Sequence, residues 1–503
     1  MEDKLQLVLG LSVLLILLSK LISFAVKPRH NLPPGPWTLP LIGSIHHLVS
    51  NPNIHRQIRT LSEKHGPLMQ LWLGEVPTVV ASTREAAQEI MKNLDLSFAE
   101  RHVSATAAAI SFGASDVFFS PYGERWRQLR KLSMQELLTS VRVRSFQGIR
   151  EDEVARLVRG IAASADAGAP VDLSAMISKL VNDIVMRSSV GSRCRYRDEY
   201  LDALEEAKSQ MTWLTLADLF PSSKLARMLG TAPRKGLASR QRMERIIGHI
   251  VQEHRDNMGS IDEPAAAAGT KDCFVDILLK LQKEGGTPIP ITNEVIVDIF
   301  AGGSDTSSTT LIWIMAELIR CPRVMAKAQG EIREAFKGKK AITEDDIVGL
   351  NYLKMVIKES LRLHCPVPLL NHRCRETCKV MGYDVLKGTS VFVNVWALCR
   401  DPRYWKDAEK FMPERFEDNN IDYKGNNFEF LPFGSGRRIC PGINIGLANL
   451  ELALASLLYH FDWKLPDKIA PKDLDMRETP GIVAAKLTSI NIFPVTRVPP
   501  SSS

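Results

Sequence analysis

The sequence predicts a mainly α protein with a small β region, set behind a single N-terminal transmembrane helix. Three observations carry this reading. Stretches at 122–137, 150–163, 172–190, 237–257, 293–320 and 351–364 repeat apolar residues every three or four positions, the period of one helix face. From about Leu68 to Ala81 the pattern alternates instead and includes Leu71, Leu73, Val79 and Val80, as strands do. Ahead of both, Leu5 to Val26 is apolar with a single charge at Lys20. That run is close to the roughly 20 residues needed to cross hydrocarbon.

The elements follow in order. Residues 1–27 are expected to form the anchor. Lys20 lies near its downstream end, where a long stem can reach the interface. Lys27, Arg29 and His30 follow the span and Glu2 and Asp3 precede it, so the positive-inside bias puts the bulk of the chain in the cytosol. A cleaved signal peptide would be shorter and would end at a small-residue site, which is not evident here. Residues 28–40 read as a proline-rich hinge: Pro33, Pro34 and Pro36 make a stiff, non-helical spacer. Residues 41–503 read as one large domain with no internal repeat. Ile261 to Lys271 is expected to be a loop, and short strands are expected near 380–393 and 482–493.

Composition excludes some functions. The 64 Lys+Arg exceed the 57 Asp+Glu by seven, too small and too dispersed an excess for nucleic-acid binding. A mildly basic chain suits an anionic membrane surface or an acidic partner. Eight cysteines in 503 residues do not make a disulfide framework. Cys374 and Cys378 stand four apart, but no second pair lies at zinc-ligand spacing.

Four motifs carry chemistry. The first is Phe433-Gly434-Ser435-Gly436-Arg437-Arg438-Ile439-Cys440-Pro441-Gly442. A metal-bound thiolate needs positive potential and backbone donors. Arg438 supplies the first, and the glycines at 434, 436 and 442 let the backbone turn its N–H groups inward. The apolar run from Ile443 to Leu457 then reads as a buried helix. The second motif, Glu359-Ser360-Leu361-Arg362, pairs opposite charges on one helix face. The third, Ala301-Gly302-Gly303-Ser304-Asp305-Thr306, puts two glycines mid-helix at a cost of roughly 1 kcal/mol each. A hydroxyl and a carboxylate sit beside the gap they leave. In the fourth, Trp126 and Arg130 share a helix face, as do Arg127 and Lys131.

Taken together and in this order, the motifs resemble those of cytochromes P450, over about residues 30 to 497. The match includes Phe433, Gly436, Arg438, Cys440 and Gly442. The fold implied is therefore the cytochrome P450 fold, and the cofactor is haem b. The resemblance makes Cys440 the iron ligand, with Phe433, Gly436 and Gly442 around it. It makes Thr306 and Asp305 catalytic, the hydroxyl bonding dioxygen and the carboxylate helping to deliver protons. Trp126, Arg130, Arg438 and Arg373 become candidates for the propionates, with His372 a rival to Arg373 because the usual proline is replaced there. Pro413-Glu414-Arg415-Phe416 resembles the segment whose arginine joins the Glu-Arg pair, which makes Glu359, Arg362 and Arg415 structural. Carried over in the same way, residues 105–119, Phe300, Ala301, Val367, Leu369, Leu370, Ile482 and Val483 should face an apolar substrate.

Pro33-Pro34-Gly35-Pro36 and the phrase Phe430 to Arg438 are similar to the plant A-type group. Glu376 to Val393 and Thr479 to Leu487 look most similar to grass enzymes that oxidise sesquiterpene and diterpene hydrocarbons in defence metabolism. The implied reaction consumes O2 and takes electrons from NADPH through a separate NADPH–cytochrome P450 reductase, since no dinucleotide or flavin motif is present. The implied location is the endoplasmic reticulum membrane, single-pass, with the catalytic domain on the cytosolic face. A haem-thiolate isomerase and a non-enzymatic haem or lipid carrier are the rival readings.

Overall fold

The structure is a computed structural model. It describes residues 30–191, 195–211, 215–259, 272–285, 293–467 and 469–500, with backbone alone at 208, 257–259 and 293–301. The expected anchor and the expected loop at 261–271 lie outside the described residues. Among those described, no helix is long and apolar enough to cross a membrane.

A four-stranded sheet forms one side. Strands β1 (Leu68–Leu73) and β2 (Val76–Ala81) are an antiparallel hairpin. β3 (Leu369–Arg373) and β4 (Ser390–Asn394) return much later in the chain. The order is β1-β2-β4-β3, with β2 and β4 parallel. Pro77 in β2 lies just outside the parallel register, which begins at Thr78 opposite Ser390, so its missing N–H costs no ladder bond there. The proline-rich stretch is sewn onto this sheet. Pro34 O accepts from Gln70 N at 2.8 Å, and a Cβ on Gly35 would sit 2.0 Å from Gln70 O. Only glycine fits at 35.

The rest is mostly helix. The elements that frame the site are α1 (Glu124–Leu132), α2 (Leu173–Val190), α3 (Ala232–Gly259), α4 (Phe274–Glu284), α5 (Asn293–Arg320), α6 (Asn351–Leu363) and α7 (Ile443–His460). α7 is predominantly apolar, and Leu452, Leu454, Leu457 and Leu458 are fully buried. A largely apolar helix belongs at the centre of a core. Truncating any one of these leucines to alanine would cost about 2–5 kcal/mol.

The expected helices are all present within a few residues of their expected ends. The strand expected near 482–493 is a correction. Regular pairing begins only at Asn491, in the strand Asn491–Thr496, and the chain from 479 to 490 is a loop closed by a single bridge between Glu478 and Lys486. Its residues Thr479 to Val483 line a cavity rather than a sheet. Several helices, Ile54–His65 and Pro322–Ala335 among them, were not expected.

Candidate active site

The cysteine loop is built by glycine geometry. Gly434 and Gly436 have φ of +76° and +64°. A Cβ on Gly436 would lie 2.6 Å from Met91 O and Asp95 Oδ1, so no other residue fits. Gly442 has an ordinary φ of −91°, and its N–H points inward at Cys440 Sγ, 3.4 Å away, as expected of this loop. The loop is pinned by Cys440 N donating to Phe433 O at 2.8 Å. Phe433 packs edge-on against Tyr423. α7 starts immediately behind, so the cysteine sits at the positive end of a buried helix. Burial pushes the thiol up, while the Gly442 N–H and the charge of Arg130 pull the other way.

Cys440 opens onto a cavity of about 970 Å³. Across it runs α5. The two glycines of that helix do different work. A Cβ on Gly303 would meet Val185 at 3.4 Å, an ordinary contact, so position 303 packs against α2. A Cβ on Gly302 would meet nothing within 4 Å, so Gly302 leaves room over the cavity. Thr306, one turn on, donates its hydroxyl proton to Gly302 O at 3.0 Å. The hydroxyl proton is thus parked on a backbone carbonyl at the cavity edge. Asp305 is half-buried beside it, and both residues line the cavity. Phe300 and Ala301 continue the same helix, with their side chains outside the described residues.

Three guanidinium groups meet at one end of the cavity. Arg438 donates to Ala99 O at 2.7 Å and Ser120 O at 2.6 Å, and lies 4.3 Å over the Trp126 ring. Trp126 donates its indole N–H to Val117 O at 3.0 Å, so it serves the cavity as a platform for Arg438. Arg130 lines the cavity near Cys440. Arg101 was not foreseen. It donates to Asn371 O, while its Nε is buried without a partner. A lone basic residue in a loop carries no spacing signal. Burial and mutual repulsion lower Arg438 to about 9 and Arg101 to about 10. None of the three makes an ion pair among the described residues. The nearby carboxyl, Asp116, is raised by burial to about 6.

Of the alternatives Arg373 and His372, Arg373 is exposed at the end of β3, where it donates weakly to Gly388 O at 3.4 Å. His372 takes the cavity side, its Nδ1 donating to Phe98 O at 2.8 Å, and burial lowers it to about 3.

These observations test the fit of a haem. The group needs a thiolate on one face, open space on the other, and cations for two buried propionates. Cys440 supplies the first and the gap over Gly302 the second. Arg101, Arg130 and Arg438, an excess of buried positive charge, supply the third. The residues fit. Arg101→Leu should therefore weaken haem retention by about 1.5–3 kcal/mol, roughly tenfold or more, without lowering the melting temperature of the haem-free chain. Haem per polypeptide after dialysis and apoprotein melting check this. A falling apoprotein melting temperature with unchanged retention would make Arg101 only a tether for Asn371.

The remaining expected residues sort cleanly. Val367, Leu369, Leu370, Ile482 and Val483 line the cavity, as do Ile110, Phe112 and Phe119 from the 105–119 stretch. Glu359, Arg362 and Arg415 do not. Glu359 accepts from Arg362 Nε at 2.7 Å, Arg362 Nη2 at 2.8 Å, Arg415 Nε at 3.0 Å and Met412 N at 2.8 Å. Arg362 also donates to Cys399 O and Ala408 O. The cluster clamps the 399–412 segment onto α6.

A half-buried cysteine facing a helix with a hydroxyl at its gap, between apolar walls and a cationic end, defines a haem-thiolate enzyme. The chain belongs to the cytochrome P450 family, whose sequence pattern it matches over residues 33–490. It is therefore a monooxygenase with haem b as cofactor. Among its relatives, an ent-cassadiene hydroxylase of Oryza sativa subsp. japonica is 69% identical, over 100% of this chain and 99% of that protein. An ent-isokaurene C2/C3-hydroxylase of the same source is 67% identical over 100% of both. Zealexin A1 synthase of Zea mays is 58% identical over 99% of both.

Proposed function

We propose that this enzyme hydroxylates, or further oxidises, a diterpene or sesquiterpene hydrocarbon in plant defence metabolism. The observation that carries the reading is that Cys440 and Thr306 share one cavity and face an apolar wall. A substrate with few polar groups gains most from such a wall. The names of the rice relatives support the diterpene class.

Bound through Cys440, haem supplies the activation of dioxygen, so that one oxygen atom enters a C–H bond and the other leaves as water. The chain's residues do the rest. Val367, Leu370, Ile482 and Val483 orient the hydrocarbon and exclude water. Asp305 relays protons from solvent, and Thr306 Oγ1 hands them across the gap at Gly302. Thr306→Ala should leave haem content and substrate binding intact, because the Gly302 carbonyl keeps its helical partner. Product formed per NADPH consumed should fall several-fold, with peroxide appearing in its place. An unchanged ratio would give the hydroxyl a purely helical role.

The electron donor is proposed to be NADPH–cytochrome P450 reductase at the endoplasmic reticulum membrane, with residues 1–27 as a single anchor and the domain in the cytosol. Arg127 and Lys131 are exposed on α1, turned away from the cavity. An acidic docking domain would meet them there. The double change to glutamate should slow first-electron transfer and flatten its salt dependence. Identical rates would place docking elsewhere.

Membranes carrying this chain and a plant reductase test the substrate class. Fed ent-cassadiene, ent-isokaurene and a sesquiterpene hydrocarbon, they should give NADPH-dependent oxygenated products from at least one. Turnover confined to polar aromatic substrates would overturn the reading.

A further inference from the structure

We propose that His254, Cys273 and Asp276 form a binding site for a divalent cation of the zinc type, on the junction of α3 and α4 and apart from the catalytic cavity. The site comes from two helices. Cys273 caps the N-terminus of α4, and Asp276 lies three residues on, in its first turn. The cap folds the two together, with Cys273 N donating to Asp276 Oδ2 at 3.1 Å. His254, near the end of α3, reaches over from the other side, its Nδ1 2.8 Å from Asp276 Oδ1. A thiol, an imidazole and a carboxylate thus converge, with donor atoms all within 4.8 Å of one another.

Zinc bonds of about 2.0–2.3 Å imply tetrahedral donors roughly 3.3–3.8 Å apart, so the cluster needs only a small closure. Cys273 is buried, whereas the His254 and Asp276 side chains are 19% and 27% exposed. A cation can therefore enter from the solvent side, and water can complete the fourth position. The ligand set selects a borderline ion, since magnesium and calcium prefer all-oxygen sites. Binding forms the S–metal bond as the Cys273 S–H bond breaks, and that proton leaves to solvent. His254 turns a ring nitrogen lone pair to the metal, keeping its proton on the other nitrogen.

The position gives the site a purpose. Phe274, next to Cys273, and Met243 on α3 both line the catalytic cavity. Gly191, which ends α2, also abuts the cluster: a Cβ there would lie 3.8 Å from Cys273 Sγ. A bound cation would staple two cavity-wall helices where they meet.

The test uses full-length, haem-loaded enzyme in three forms: parent, His254→Gln and Cys273→Ser. Each is dialysed against zinc chloride with a competing chelator, and bound zinc is counted by mass spectrometry. The parent should hold one equivalent more than either variant, with affinity about tenfold or more above theirs. Zinc should raise the melting temperature of the parent alone. Equal zinc retention and equal melting shifts in parent and variants would overturn the proposal. Should Cys273→Ser fail to fold, His254→Gln decides, because its ring lies at the solvent edge.

Discussion

Replacing Cys440 with alanine is expected to abolish both the absorbance at about 450 nm of the reduced, CO-treated protein and all turnover. The physical reason is local. Every other group around the cavity can bond a propionate, a proton or a hydrocarbon, but among the described residues lining it Cys440 is the one thiol. The loop is shaped for that sulfur: the Gly434 and Gly436 turns, the Gly442 N–H and the start of α7 all converge on it. Alanine keeps the loop's backbone bond to Phe433 O, so the fold should survive. A difference spectrum and haem content on the purified variant check this. A retained band would remove Cys440 from the site.

Glu359→Ala is expected to have an equally large effect by a different route. The carboxylate accepts four hydrogen bonds, and it and Arg362 are fully buried. Removing it leaves Arg362 uncompensated in the interior and frees the 399–412 segment. The cost is about 3–5 kcal/mol, a large part of the roughly 5–15 kcal/mol that holds a domain together. Little or no haem-loaded protein should be recovered. The measurement is the yield of CO-binding protein against total polypeptide. Abundant, well-loaded but inactive enzyme would mean that Glu359 acts in catalysis.

The two variants mark what the sequence could and could not reveal. The cysteine loop was legible because its glycines and basic residues are contiguous. So was α5, whose expected limits at 293 and 320 match the observed ones. Helix positions follow from apolar spacing, which is a local property. The cationic end of the cavity was harder to read. Arg101, Arg130 and Arg438 come from three separate segments, and only packing brings them together. Arg101 carries no local signal at all. The sequence leaves Arg373 and His372 as alternatives, because the choice between adjacent residues rests on strand phase in β3, where a shift of one residue reverses the face. The loop at 479–490 misled for a related reason. Its apolar pair Ile482 and Val483 answers to the cavity, and a short apolar run does not distinguish a cavity wall from a buried strand. The pair of glycines at 302 and 303 was read as one feature. The structure separates them into a helix contact and an opening.

The most direct test of the whole account is the origin of the inserted oxygen. Membranes with this chain and the reductase would be given a diterpene hydrocarbon and NADPH under isotopically labelled dioxygen, and the product analysed by mass spectrometry. A haem-thiolate monooxygenase predicts one labelled oxygen atom per hydroxylation, dependent on NADPH and lost in Cys440→Ala. Product formed without NADPH, or carrying oxygen from water instead, would contradict it.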